Sequence, residues 1–307
     1  MKKIINAIIA MLTLAALFLT GCGSAPQSSD GALRVLASTT FLADIAQNVA
    51  GDRAAVDSLL PIGTDPHAYQ AAPSDVSKIA ESNLLILNGI KYEQFIEPLL
   101  DAQRAGGERL IITASDGLTP NQMEDEENAG QMVGDPHMWL DPSRVVTYVE
   151  NIRDGLIEVD PAGVETYQAN ADAYIAQLKD LDKWIMEQVS AIPAERRLLV
   201  TNHEAAGYFA ERYGFEIVGA VIPSLSTDAG TSAKEMAALI EQIKSSGAPA
   251  IFLGEVENTD LANQIADETG VKVINDLYLE SLTDGSPAAT YIDMMKHNVT
   301  SIVTGLK

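Results

Sequence analysis

Cysteine occurs once in these 307 residues. That excludes an intramolecular disulfide and any zinc or iron–sulfur site built on several thiolates. Basic residues are also scarce: Lys and Arg number 20 against 43 Asp and Glu, for a net charge of -23. Nucleic acid is thereby excluded as a partner, because its binders need a basic stripe to neutralise phosphates. Only one long apolar run exists, so the chain is not a polytopic membrane protein. What is present is a hydrophobic content of 47%, too high for a disordered acidic chain. The length allows two domains of roughly 100–200 residues each, with a core that needs no staples.

The single apolar run lies at the start. Met1-Lys2-Lys3 is a short basic opening, and residues 4–19 are apolar apart from Asn6 and Thr13. This is the layout of a secretory signal. The run ends Leu19-Thr20-Gly21-Cys22, which resembles the lipobox of bacterial lipoproteins. An uncleaved single-span anchor with an incidental cysteine is the competing reading. The lipobox implies that residues 1–21 are removed and that Cys22 is diacylated, two chains being enough for stable anchoring. Residues 23–32 are polar and turn-rich, so 22–33 reads as a lipidated tether reaching about 18 Å root-mean-square. Cleavage removes Lys2 and Lys3 but no acid, leaving a mature charge of -25. The expected location is extracytoplasmic, lipid-anchored to the cell membrane.

After the tether, short β-branched runs alternate with amphipathic stretches. Strands are expected at 34–38, 56–61, 84–89 and 109–113, with helices at 41–49, 74–82 and 92–104 between them. This is the signature of βαβ units and a parallel sheet. A second alternation has strands at 197–201, 216–222, 250–253 and 271–274, helices at 231–245 and 260–269, and a closing helix from 288 to about 303. Between the halves, Asp160-Pro161 reads as an N-cap followed by proline at the first helical position. No Gly or Pro occurs from Val164 to Ile192, and apolar residues recur three and four apart. A helix of roughly 30 residues, about 45 Å long, follows. Asp141-Pro142 starts another that runs to about residue 158. The predicted fold is α/β: two doubly wound parallel-sheet lobes, 34–159 and 194–307, joined by one long rigid α-helix within 160–193. A single stiff connector predicts limited hinge motion.

Histidine is rare, and two of the four share a tripeptide: Asp65-Pro66-His67 and Asp135-Pro136-His137. His67 lies in a turn-rich loop after a predicted strand, His137 precedes a predicted helix, and His203 ends the 197–201 strand. Ligands of doubly wound sheets bind outside the carboxyl ends of strands. His67 and His203 hold such positions in opposite halves. Each taken alone reads as a hydrogen-bonded loop histidine; together the three point to a shared metal site.

These loops, the His203 segment with Gly207-Tyr208-Phe209, the central helix and the lipobox resemble the solute-binding lipoproteins of zinc and manganese ABC importers, over essentially the whole mature chain. The resemblance implies two α/β lobes holding a metal between them. By its motifs the metal ligands would be His67, His137, His203 and an acid near the C-terminus. The family's usual aspartate is replaced here by Glu280, in Leu277-Tyr278-Leu279-Glu280-Ser281, with Asp276 and Asp284 the nearby alternatives. Three neutral imidazoles and one carboxylate suit Zn²⁺. Mn²⁺, which prefers more oxygen, is the alternative cargo. Asp65 and Asp135 either orient the neighbouring imidazoles or act as local turn caps.

His297 reads as a helix-surface residue, and Glu204 as an acid in the first turn of a helix. Residues 121–134 form an acidic loop without histidine. The implied function is capture of Zn²⁺ and its delivery to an ABC permease, by a monomeric chain held at the membrane through Cys22, with no catalysis. Rival readings are a zinc metallohydrolase with an open coordination position, an adhesin-like surface lipoprotein, and a haem or metal-chelate binder.

Overall fold

The strands expected in the first half form in a computed structural model that describes residues 33–106, 110–124, 130–254, 257 and 259–307. Cys22, the signal segment and most of the tether lie outside the described residues. Strands β1 (Arg34–Ala37), β2 (Ala55–Ser58), β3 (Leu84–Leu87) and β4 (Leu110–Thr113) make a parallel sheet in the order β2-β1-β3-β4. The all-aliphatic β3, Leu-Leu-Ile-Leu, is fully buried, as a central parallel strand covered on both faces should be. Helices α1 (Thr40–Ala50), α2 (Pro73–Glu81) and α3 (Glu97–Gly106) flank the sheet.

Residues 92–104 do not form the one helix expected. A 3₁₀ turn at Tyr92–Ile96 precedes α3. Pro98 cannot donate the i→i−4 bond that a continuous helix would require. The ends of the 121–134 segment pair as an antiparallel ribbon, β5 (Gln122–Glu124) with β6 (Met132–Gly134), so the expected loop is anchored at both sides.

Helix α4 (Pro142–Val159) starts under an Asp141 cap that accepts from Ser143 N. Helix α5 (Val164–Ser190) follows after a 3₁₀ turn at Pro161–Gly163. Its 27 residues span about 40 Å. Asp160 caps neither element with its side chain; its carboxylate is taken instead by Arg53 and the Tyr167 hydroxyl.

The second sheet is also parallel: β7 (Leu198–Thr201), β8 (Glu216–Ala220), β9 (Ala250–Gly254) and β10 (Lys272–Leu277), in the order β10-β9-β7-β8. Its helices are α6 (Gly207–Tyr213), α7 (Ala233–Ser246) and α8 (Asp260–Thr269). Helix α9 (Tyr291–Leu306) starts three residues later than expected because Thr290, not a residue near 288, accepts the first-turn amide.

Leu33 to Lys307 is one compact unit. Helix α5 packs on α1 and α4 from the first half and on α6 and α9 from the second, and α9 itself reaches α1. A continuous core containing Phe41, Trp139, Tyr174, Phe209 and Phe252 runs through both halves. The two halves are thus joined by packing as well as by α5.

Candidate metal centre

The loops that follow the carboxyl ends of β2, β7 and β10 carry His67, His203 and Glu280, while His137 sits just ahead of the Met138–Leu140 turn and α4. All four converge between the sheets, and one donor atom from each lies within 4.8 Å of the others. Glu280 Oε1 lies 2.8 Å from His67 Nε2, 3.5 Å from His203 Nε2 and 3.6 Å from His137 Nε2. Donors around a tetrahedral ion with bonds of about 2.0–2.1 Å stand roughly 3.3 Å apart, close to these spacings.

The two longer separations exceed hydrogen-bond length. His137 Nε2, His203 Nε2 and Glu280 Oε2 are buried with no hydrogen-bond partner among the described residues. Such groups cost about 1–3 kcal/mol each when left unsatisfied. Their convergence on one point is the arrangement of ligands that a cation completes.

Neighbouring groups position the four side chains. Asp135 Oδ1 accepts both the backbone N–H of His137 and, at 2.8 Å, its Nδ1. Glu257, which sequence reasoning missed, stands 2.8 Å from His203 Nδ1 through Oε1. Its place just past the carboxyl end of β9 was the available signal. Asp65 does not touch the His67 ring. Its Oδ1 caps the turn by accepting His67 N, and its Oδ2 accepts the Thr227 hydroxyl at 2.6 Å. The Glu280 loop is strapped to the first lobe by Trp139 Nε1 donating to Leu279 O, Gly63 N to Ser281 Oγ and Leu282 N to Thr40 Oγ1, each at 2.8 Å. Asp276 and Asp284 stay outside the cluster: Asp276 accepts from Ser301, and Asp284 is exposed.

Burial pushes the Glu280 carboxyl up, but the charge of His67 and the facing imidazoles outweigh it and hold it well below its ordinary range. For His203, burial favours the neutral ring, yet Glu257 and Glu280 overcome it and raise the pKa to about 10. His137 is likewise raised, with Asp135 and Glu280 opposing burial. A proton therefore occupies His203 near neutral pH when no cation does, and the Glu280 carboxylate stays charged.

A cleft of about 430 Å³ is lined by Tyr69, Lys91 and Tyr92 together with Glu204, Ser224 and Asp228. Of the four donors, His67 lines it. Glu204 precedes α6 rather than standing in its first turn. His297 lies on α9 as expected, and its Nε2 donates to the Asp276 carbonyl at 2.8 Å.

Residues 35–305 match the family described as zinc-uptake complex component A, periplasmic. The chain belongs to this family. It is therefore a metal-binding, solute-binding component of an uptake system. Among similar proteins, the manganese-binding lipoprotein MntA of Halalkalibacterium halodurans is 34% identical, covering 100% of this chain and 99% of its own. The iron-binding protein YfeA of Yersinia pestis is also 34% identical, covering 97% of this chain and 95% of its own. The periplasmic zinc-binding protein TroA of Treponema pallidum has a solved structure that superposes with a TM-score of 0.82 at 28% identity, over 90% of this chain and 99% of that one. The names of these three relatives carry three different metals.

Proposed function

We propose that this protein captures Zn²⁺ outside the cytoplasmic membrane through His67, His137, His203 and Glu280 and delivers it to an ABC permease. The observation that carries the reading is the buried convergence of three imidazoles and one carboxylate, with Nε2 of His137 and His203 lacking any other partner. Borderline nitrogen donors favour Zn²⁺ over harder ions. Four protein ligands close a tetrahedral sphere and leave no position for an activated water, which supports transport over hydrolysis. Residues 1–21 act as a lipoprotein signal, and Cys22 carries the lipid that holds a monomeric chain to the membrane by the 22–33 tether. The lobes are 34–159 and 194–307, with the linking helix inside 160–193. Among the described residues no helix is long and apolar enough to cross a membrane.

Manganese is the second reading. The free Glu280 Oε2 offers a fifth donor, and MntA is named for that metal. Metal content by plasma mass spectrometry, followed by competition of Zn²⁺ and Mn²⁺ against a chelator, separates the two. One tightly held zinc that resists excess manganese supports the first. Displacement by manganese overturns it, and no bound metal overturns both.

A further inference from the structure

Glu257 lies outside the four converging donors, yet it is bound on both carboxylate oxygens. Oε2 accepts the backbone N–H of Gly254 at the end of β9, and Oε1 faces His203 Nδ1 at 2.8 Å. The glutamate and histidine side chains are 2% and 0% exposed, so water does not replace either contact. An ionised carboxylate can only accept hydrogen bonds. With Oε2 committed to a fixed backbone donor, Oε1 requires a proton on His203 Nδ1. Once a metal has displaced the second proton of the ring, the neutral imidazole carries one proton, so Nε2, the atom 3.5 Å from Glu280 Oε1, presents its lone pair toward the centre.

We infer that Glu257 is a positioning residue that imposes the metal-binding tautomer of His203 and so sets the zinc affinity of the site. This rests on the metal-capture reading above. Glutamine at this position has nearly the same shape and the opposite instruction. Its carbonyl must face the Gly254 N–H to avoid a donor–donor clash, which turns its NH₂ toward His203 Nδ1. The ring then accepts at Nδ1 and carries its proton on Nε2, where the metal would bind. Alanine removes the instruction without reversing it.

The test is zinc affinity of the full chain in detergent, measured by competition with a chromogenic chelator, for the wild type, Glu257→Gln, Glu257→Ala, His203→Ala and the His203→Ala/Glu257→Gln double variant. The expected result is a 10–100-fold loss for Glu257→Gln, the range for partners that orient a metal-bound histidine. Glu257→Ala should lose less. In the His203→Ala background the glutamine should change affinity by no further factor, because its route to the metal is gone. Wild-type affinity in Glu257→Gln would overturn the inference while leaving the metal site standing. So would a greater loss with alanine than with glutamine, or the same loss with and without His203. A wild-type chain that binds no zinc would overturn the functional reading itself, and this inference with it.

Discussion

His67 Nε2 and Glu280 Oε1 meet at 2.8 Å although 213 residues separate them in the chain. One comes from the loop after β2 and the other from the loop after β10, so a cation held between them ties the two lobes together. Metal should therefore stabilise the fold by mass action, by about 2.7 kcal/mol at a free concentration 100 times Kd and about 4.1 at 1,000 times. His67→Ala should cost orders of magnitude in affinity and most of that stabilisation. Melting curves with Zn²⁺ and with chelator check this; a zinc-induced rise equal in variant and wild type would contradict it.

Metal binding should release protons. His203 is held protonated up to about 10, and His137 is shifted in the same direction, so the metal-free protein carries an extra proton on the His203 ring at pH 7. A metal must displace it, and apparent affinity should fall as pH falls. The same shift acts on stability. A raised histidine pKa contributes to the metal-free fold below the unfolded value of about 6.5, and that contribution is lost as pH rises through about 10. Titration calorimetry at pH 7.5 in two buffers of different ionisation enthalpy should report at least one proton released per zinc. A buffer-independent heat would sink the prediction.

Thr227 donates to Asp65 Oδ2 at 2.6 Å, joining the His67 loop to the second lobe. Thr227→Val removes the hydroxyl that donates to Asp65 Oδ2. The His67 loop loses one of its ties, so metal should leave faster. Stopped-flow chelation of the loaded protein measures this, and an off-rate equal to wild type would exclude a role for the contact.

Asp44 on α1 accepts the Tyr291 N–H at the start of α9. Burial and the nearby Asp293 raise its carboxyl to about 6, against the opposing Tyr291 bond. Above that pH the folded chain bears a charge it disfavours. A raised carboxyl pKa gives a contribution present below the unfolded value and lost as pH rises through about 6. Asp44→Asn keeps an acceptor for Tyr291 and removes the charge. It should stabilise the metal-free protein by about 1–3 kcal/mol at pH 7.5, with the gain shrinking toward pH 4. Denaturant titrations at both pH values test this, and a gain that does not shrink on acidification would refute it.

Local chemistry determined much of this protein before any packing was known. Apolar runs such as Leu84–Leu87 and the three-and-four spacing from Tyr167 to Val189 are short-range patterns, readable wherever neighbouring residues share a face. His67, His137 and His203 stand beside turns and strand ends that the sequence marks, whereas Glu280 entered only through the resemblance to a family, with Asp276 and Asp284 as alternatives. Only the tertiary structure decided what their neighbours do. Asp65 and Asp135 have the same Pro-His context, yet Asp135 reaches the His137 ring while Asp65 turns its second oxygen to Thr227, 162 residues away. Glu257 finds His203 across 54 residues, and Trp139 finds Leu279 O across 140. Such pairings depend on how two sheets and their helices pack, and no periodicity along the chain encodes that distance.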